Sequence, residues 1–150
     1  MEKKMFCFQC QETAMGTGCT VRGVCGKKAT TAVKMDMLLF ATRGISVVNT
    51  ALRDADVKIP SEVNHFVTDA LFTTITNANF DDDAILLKIQ KGFEIRMKML
   101  DLARQNGVNV PAVDEVTWLG PTVAYEMKAN HVGVLRNADV DIRSLKELIT

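Results

Sequence analysis

The stretch from Asp82 to Gln105, DDAILLKIQKGFEIRMKMLDLARQ, is the clearest helix in the sequence and indicates a helical fold. Apolar residues recur along it every three or four positions, the spacing that lines one face of an α-helix. The predicted stripe consists of Leu86, Ile89, Phe93, Met97 and Leu100. An acidic run at 81–83 suits the positive end of a helix dipole, and Gly107 stands where a left-handed cap ends helices. The segment therefore predicts a long amphipathic helix.

Two upstream segments show the same spacing of apolar residues. Residues 30–55 predict a helix that Thr30 or Thr31 caps, and residues 61–77 predict a second helix capped by Ser61. Pro60 separates them, because the residue before a proline disfavours helix. We therefore expect residues 30–107 to form three antiparallel helices, an up-down-up bundle.

The segments before and after this bundle are predicted to be less regular. Residues 1–29 are expected to be an irregular, cysteine-rich segment, and residues 108–150 an irregular connection to the start of a second helical bundle. The final DIRSLKELIT, 141–150, has helical spacing and stops without a cap, so we expect the chain to be the front part of a longer protein. The predicted fold class is all-α.

Composition excludes several kinds of partner. The formal net charge is zero, which gives no general attraction to nucleic acid or anionic lipid. No apolar run approaches the ~20 residues that cross a bilayer, and the first residues do not form a signal peptide. We therefore expect a cytoplasmic protein without nucleic-acid or membrane partners; the oligomeric state is not predicted.

All four cysteines lie near the start of the chain, as Cys7, Cys10, Cys19 and Cys25 in the pattern C-x2-C-x8-C-x5-C. Disulfides rarely persist in a reducing compartment, so bound metal is the stronger expectation. Structural zinc often uses two close cysteine pairs, and only the first pair here has that spacing. Wider, unequal spacing suits the four thiolates of a cubane iron–sulfur cluster. Iron–sulfur is favoured over zinc, and disulfides or free thiols remain open.

The surroundings of the cysteines agree with an anionic cluster. Glycines at 16, 18, 23 and 26 allow backbone N–H groups to approach sulfur, and Phe6 and Phe8 flank Cys7 as a shield from water. Residues 1–28 hold five basic and two acidic side chains, an excess of three positive charges. This excess would offset the negative charge of a thiolate-bound cluster.

The remaining candidate ligands have plainer interpretations. His65 and His131 lie in no recognisable motif and are expected to be structural. Met97 and Met99 are interpreted as helix packing, because soft copper ligation needs a tighter cluster. Glu94 and residues 96–98 are expected to form a solvated helix face.

The segment MFCFQCQETAMGTGCTVRGVCGK, residues 5–27, resembles the N-terminal signature of the hybrid cluster proteins, also called prismane proteins or hydroxylamine reductases. The resemblance is most specific in FQCQET, GTGCT and GVCGK, and weaker along the helices. It implies that Cys7, Cys10, Cys19 and Cys25 bind a [4Fe-4S] cubane, whereas a branch with other spacing carries a two-iron cluster. It also implies a domain of three-helix bundles and an electron donor such as an iron–sulfur or flavin reductase.

The same resemblance implies an activity whose active-site ligands this sequence does not supply. The family reduces hydroxylamine to ammonia, and is linked to nitric oxide chemistry, at a hybrid iron–sulfur–oxygen cluster. That cluster needs cysteine, histidine and glutamate ligands from later domains, and no cysteine follows Cys25 here. We therefore expect an electron-transfer portion that is inactive alone and has the remainder of the enzyme as partner. The alternative is a zinc-stabilised helical interaction domain without a redox role.

Overall fold

The computed structural model describes residues 5–76, 78 and 80–149, which form an all-α fold as predicted. The α-helices of this described part are α1 (Ala29–Asp54), α2 (Ser61–Ile75), α3 (Asp82–Gln105), α4 (Asp114–Thr117), α5 (Tyr125–Val132) and α6 (Val140–Ile149). Short 3-10 turns lie at Ala14–Gly16, Thr122–Ala124 and Val134–Arg136. Extended pairing in the same residues is confined to an isolated bridge between Cys7 and Cys19.

Helix α1 is the centre of the packing, because α2, α3, α4 and α5 all contact it. One half of α1 contributes Leu38 and Phe40 to an apolar cluster that includes Ala129 of α5. Its other half contributes Ile45 and Leu52 to a second cluster, which is shared with α2, α3 and α4. The division of the chain after residues 29 and 107 stays a prediction. None of the described helices combines the length and hydropathy that a bilayer crossing requires.

Helix α3 has the bounds that the sequence predicts, but it buries a different face. The Asp81 carboxylate accepts hydrogen bonds from the Asp83 and Ala84 amides at 2.9 and 3.1 Å, and Gly107 has a φ of +66°. The buried residues are Ile85, Ile89, Gly92, Phe93, Ile95, Arg96, Met99 and Ala103. Three members of the predicted stripe, Leu86, Met97 and Leu100, are only half-buried. The contact face is therefore rotated relative to the prediction.

The predicted caps of the first two helices are wrong. Helix α1 already begins at Ala29 and has no side-chain cap. Instead, the buried Thr31 hydroxyl donates to the Asp82 carboxylate at 2.6 Å, which ties α1 to the start of α3. Ser61 is the first residue of α2, not its cap.

Arg96 was expected on a solvated face, and that prediction is wrong because the residue is 0% exposed. Its guanidinium donates to the carbonyl oxygens of Glu115 and Trp118 at 2.7 and 2.6 Å. These carbonyls lie at the end of α4, where helix carbonyls lack partners within the helix. A Cβ at Gly44 of α1 would collide with the Glu115 carbonyl oxygen, so glycine permits this close approach. Arg96 thus fixes α4 against α1 and α3.

Candidate metal centre

The cysteine segment is held together by a bridge between Cys7 and Cys19. The Cys7 amide donates to the Cys19 carbonyl at 3.0 Å, and the Cys19 amide donates back to the Cys7 carbonyl at 2.9 Å. Both side chains are buried with Met5 in a small apolar cluster that packs on Ala29 and Ala32 at the start of α1. Two of the four predicted ligands therefore lie side by side against the helical core.

The other two predicted ligands lie outside this cluster. Cys10 is half-buried and Cys25 is exposed, and all four cysteines are free thiols. Across residues 5–76, 78 and 80–149, no three or more His, Cys, Asp or Glu side chains lie close enough together to hold a metal ion. The structure thus pairs Cys7 with Cys19 and, within the described residues, does not gather all four cysteines into one group.

Phe6 packs on the backbone beside the cysteine bridge. Gly18 has a φ of +104°, and a Cβ there would lie 2.8 Å from a ring carbon of Phe6. Glycine at this position therefore lets the phenyl ring lie directly on the backbone next to Cys19. Phe6 is 3% exposed, whereas Phe8 is half-buried. The ring therefore covers the backbone next to Cys19 and lies outside the apolar cluster of the two cysteine side chains.

Lys27 is the unexpected residue of the site, because its side chain is only 1% exposed. Its ammonium donates to the Gln9 amide oxygen at 3.0 Å and to the Cys7 sulfur at 3.6 Å. The turn that carries it is tight: the Gly23 amide donates to the Lys27 carbonyl at 2.8 Å. A Cβ on Gly23 would lie 3.0 Å from both the Lys27 Cβ and the Cys25 sulfur.

A carboxylate from the far end of the chain completes the site. Glu147 of α6 is 7% exposed, and it interacts with Lys27, the Cys7 side chain and the Phe8 backbone. Burial raises the pKa of Glu147 above its ordinary value of 4.5. Burial also raises the pKa of the Cys7 thiol above 9.0, although the Lys27 ammonium opposes this. The cysteine bridge is therefore surrounded by a buried cation and a buried carboxyl group.

Sequence reasoning missed the roles of Lys27, Gln9 and Glu147. It counted Lys27 among several positive charges of the segment, but nothing in the local pattern marks that side chain as buried. Glu147 lies in a helix whose neighbouring apolar residues, Leu145 and Leu148, are exposed, so the pattern there predicts the opposite orientation. The two histidines, His65 and His131, are exposed.

Comparison with known proteins assigns this chain to a family. A model of the Prismane/CO dehydrogenase family matches residues 5–150. The chain belongs to this family. A hydroxylamine reductase of Bacteroides fragilis is 55% identical over 145 residues, which are 97% of this chain and 26% of the relative. A hydroxylamine reductase of Porphyromonas gingivalis is 45% identical over 149 residues, which cover 99% of this chain and 27% of the relative. A hydroxylamine reductase of Desulfitobacterium hafniense is 42% identical over 149 residues, which cover 97% of this chain and 27% of the relative. The chain thus spans about a quarter of the length of these curated relatives.

Membership of the Prismane family implies iron–sulfur chemistry, and the donor set of the loop fits it. The four free thiols are the ligand type that iron–sulfur clusters use. The ammonium of Lys27 points at the sulfur of Cys7, where it would favour an anionic thiolate over a neutral thiol. The side chains of the loop therefore suit a negatively charged, sulfur-ligated group.

Proposed function

We propose that the chain is the N-terminal, electron-transferring portion of a hydroxylamine reductase. In this proposal Cys7, Cys10, Cys19 and Cys25 hold a [4Fe-4S] cluster. The full-length protein would reduce hydroxylamine to ammonia, or act on nitric oxide, at a hybrid cluster built by later residues. The similarity to curated hydroxylamine reductases over nearly the whole chain supports this reading.

The observation that carries the proposal is the buried ammonium of Lys27 directed at the sulfur of Cys7. A buried ammonium is costly unless it meets negative charge, and a neutral thiol supplies none. A thiolate bound to a cluster would supply that charge. Helical packing by itself gives no reason for this arrangement, since the apolar clusters of α1 form without it.

The cluster would supply one-electron transfer when bound. The chain's own residues would hold and surround it. The four sulfurs would provide the ligands, Phe6 covers the backbone next to Cys19, and Lys27 places a positive charge beside Cys7. Four thiolate ligands leave no position for substrate, so this portion would pass electrons without binding hydroxylamine.

Two partners would act together with the rest of the enzyme's own chain. One is an electron donor, such as an iron–sulfur or flavin reductase, and the other is hydroxylamine or nitric oxide, which would be reduced elsewhere in the enzyme. We also expect a cytoplasmic location, where a reducing environment keeps the four thiols available as ligands.

Single replacement of each cysteine tests the ligand assignment. Cys7→Ser, Cys10→Ser, Cys19→Ser and Cys25→Ser should each lower bound iron and sulfide after anaerobic reconstitution. Thr17→Ser, a change at an exposed position of the same loop, is the matched control and should bind as the wild type does. Brown colour that bleaches on reduction would accompany binding. A colourless chain that binds one zinc ion would instead support the zinc-stabilised interaction domain.

A further inference from the structure

The burial of Lys27 has no explanation in the stability of the fold. Lysine is almost never fully buried unless it is paired, yet this side chain is 1% exposed. Its hydrogen-bond acceptors are a neutral amide oxygen on Gln9 and the sulfur of Cys7. Neither carries a full negative charge in the metal-free chain, so these contacts repay only part of the cost of removing the ammonium from water.

The nearby carboxyl group does not remove this imbalance. Glu147 feels the charge of Lys27, but within the described residues the two do not approach to the 4 Å of an ion pair. One oxygen of the Glu147 carboxylate, Oε2, is buried without a hydrogen-bond partner. A cation and a carboxyl group therefore both flank Cys7, and the ammonium is directed at the sulfur without being neutralised in a direct ion pair.

We propose that Lys27 is a positioning residue for the cluster, whose ammonium supplies a fixed positive charge at Cys7 and stabilises the reduced state over the oxidised state. This inference rests on the proposed function, since it needs a thiolate-bound cluster at Cys7. Reduction adds one negative charge to the cluster. Because the ammonium is buried, solvent and salt screen its attraction for that added charge only weakly.

The adjacent lysine provides a matched comparison. Lys28 carries the same charge one residue further along the chain, but its side chain is exposed. Exposed charges are largely screened by water and salt, so the removal of this one should change the cluster little. The difference between Lys27 and Lys28 therefore separates a buried, directed charge from the general positive charge of the segment.

The test compares Lys27→Met, Lys27→Arg and Lys28→Met with the wild type in the cluster-loaded chain. The midpoint potential is measured by anaerobic titration with dithionite, with electron paramagnetic resonance as the detection method. Lys27→Met should shift the potential to more negative values than Lys28→Met does, and Lys27→Arg should lie nearer the wild type because it keeps the charge. Loss of the cluster from Lys27→Met alone among these variants would also support the proposal.

A second measurement uses the metal-free chain. Methionine is apolar and similar in length to the lysine stem, so Lys27→Met should leave the thermal unfolding temperature unchanged or raise it. A clear fall would overturn the proposal, because Lys27 would then serve the fold. Equal potentials for Lys27→Met and Lys28→Met would overturn it and leave the proposed function standing. A wild-type chain that takes up no iron–sulfur cluster would refute the proposed function and this inference with it.

Discussion

Asp36 should make the stability of the chain depend on pH in an unusual direction. It lies on α1, and its carboxylate packs against Gly133 so closely that a Cβ on that glycine would collide with it. The groups that act on it are Arg43 of α1, Lys146 and Glu147 of α6, and the Val134 backbone amide. Burial first, and the nearby Glu147 carboxylate second, raise the pKa of Asp36 from 3.8 to about 7.

The sign of the effect follows from this direction. Below about pH 4, Asp36 is protonated in both the folded and the unfolded chain, so it gives no pH dependence there. Between about pH 4 and about pH 7 the folded chain holds a proton that the unfolded chain has released, so the free energy of unfolding falls as pH rises. At about 1.4 kcal/mol per pH unit, the full loss is roughly 4 kcal/mol, reached above about pH 7.

Asp36→Asn removes the titration and keeps the size of the side chain. Stability is measured by urea unfolding, monitored by circular dichroism with a thiol reductant present. Variant and wild type should be equally stable near pH 4, and the variant should be more stable near pH 8 by up to about 4 kcal/mol. Asp54→Asn, at an exposed position near the end of the same helix, is the control. A difference between Asp36→Asn and wild type that does not change with pH would show that the pKa of Asp36 is not raised into this range in the folded chain.

Three further predictions concern the fold and the activity. Arg96→Met should lower the free energy of unfolding by about 2 kcal/mol or more, because two carbonyl oxygens lose their donor. The control Lys98→Met, on the exposed face of α3, should change the free energy of unfolding little. An equal effect of both substitutions in urea unfolding would contradict this prediction. Chelation should leave the helical circular dichroism signal in place, because the clusters around α1 do not depend on the cysteines; a collapse would show that metal binding and folding are one event. The chain alone should not reduce hydroxylamine, and steady ammonia production with iron limited to one cubane per molecule would contradict this.

Helix α3 shows what sequence periodicity can predict and where it stops. Its bounds follow from local signals, the acidic run at 81–83 and Gly107, and in the structure Asp81 caps the start of the helix and Gly107 has a positive φ. The buried face does not follow, because apolar residues cover a wide arc of the helix and two stripes have helical spacing. The face that packs is chosen by α1 and by the carbonyls of α4, which draw Arg96 inward. Because the buried face includes the charged residue Arg96, the spacing of apolar residues alone does not identify that face.

The buried charged groups around the cysteines were not predicted, because they also depend on tertiary contacts. The cysteines are visible because their residue type and spacing state their chemistry without any fold. Lys27 and Glu147 acquire their roles from contacts across long stretches of chain: Lys27 reaches Cys7, 20 residues away, and Glu147 comes from the last helix. Such contacts depend on where α1 and α6 place the loop. Local sequence therefore predicts the ligands but not the charges around them.

Iron, sulfide and zinc analysis of anaerobically purified protein decides whether the cysteine segment holds an iron–sulfur cluster. The proposed cubane predicts about four iron atoms and about four acid-labile sulfides per chain, with zinc near zero, because four thiolates can hold such a cluster. Iron and sulfide near zero, with about one zinc per chain, would contradict it.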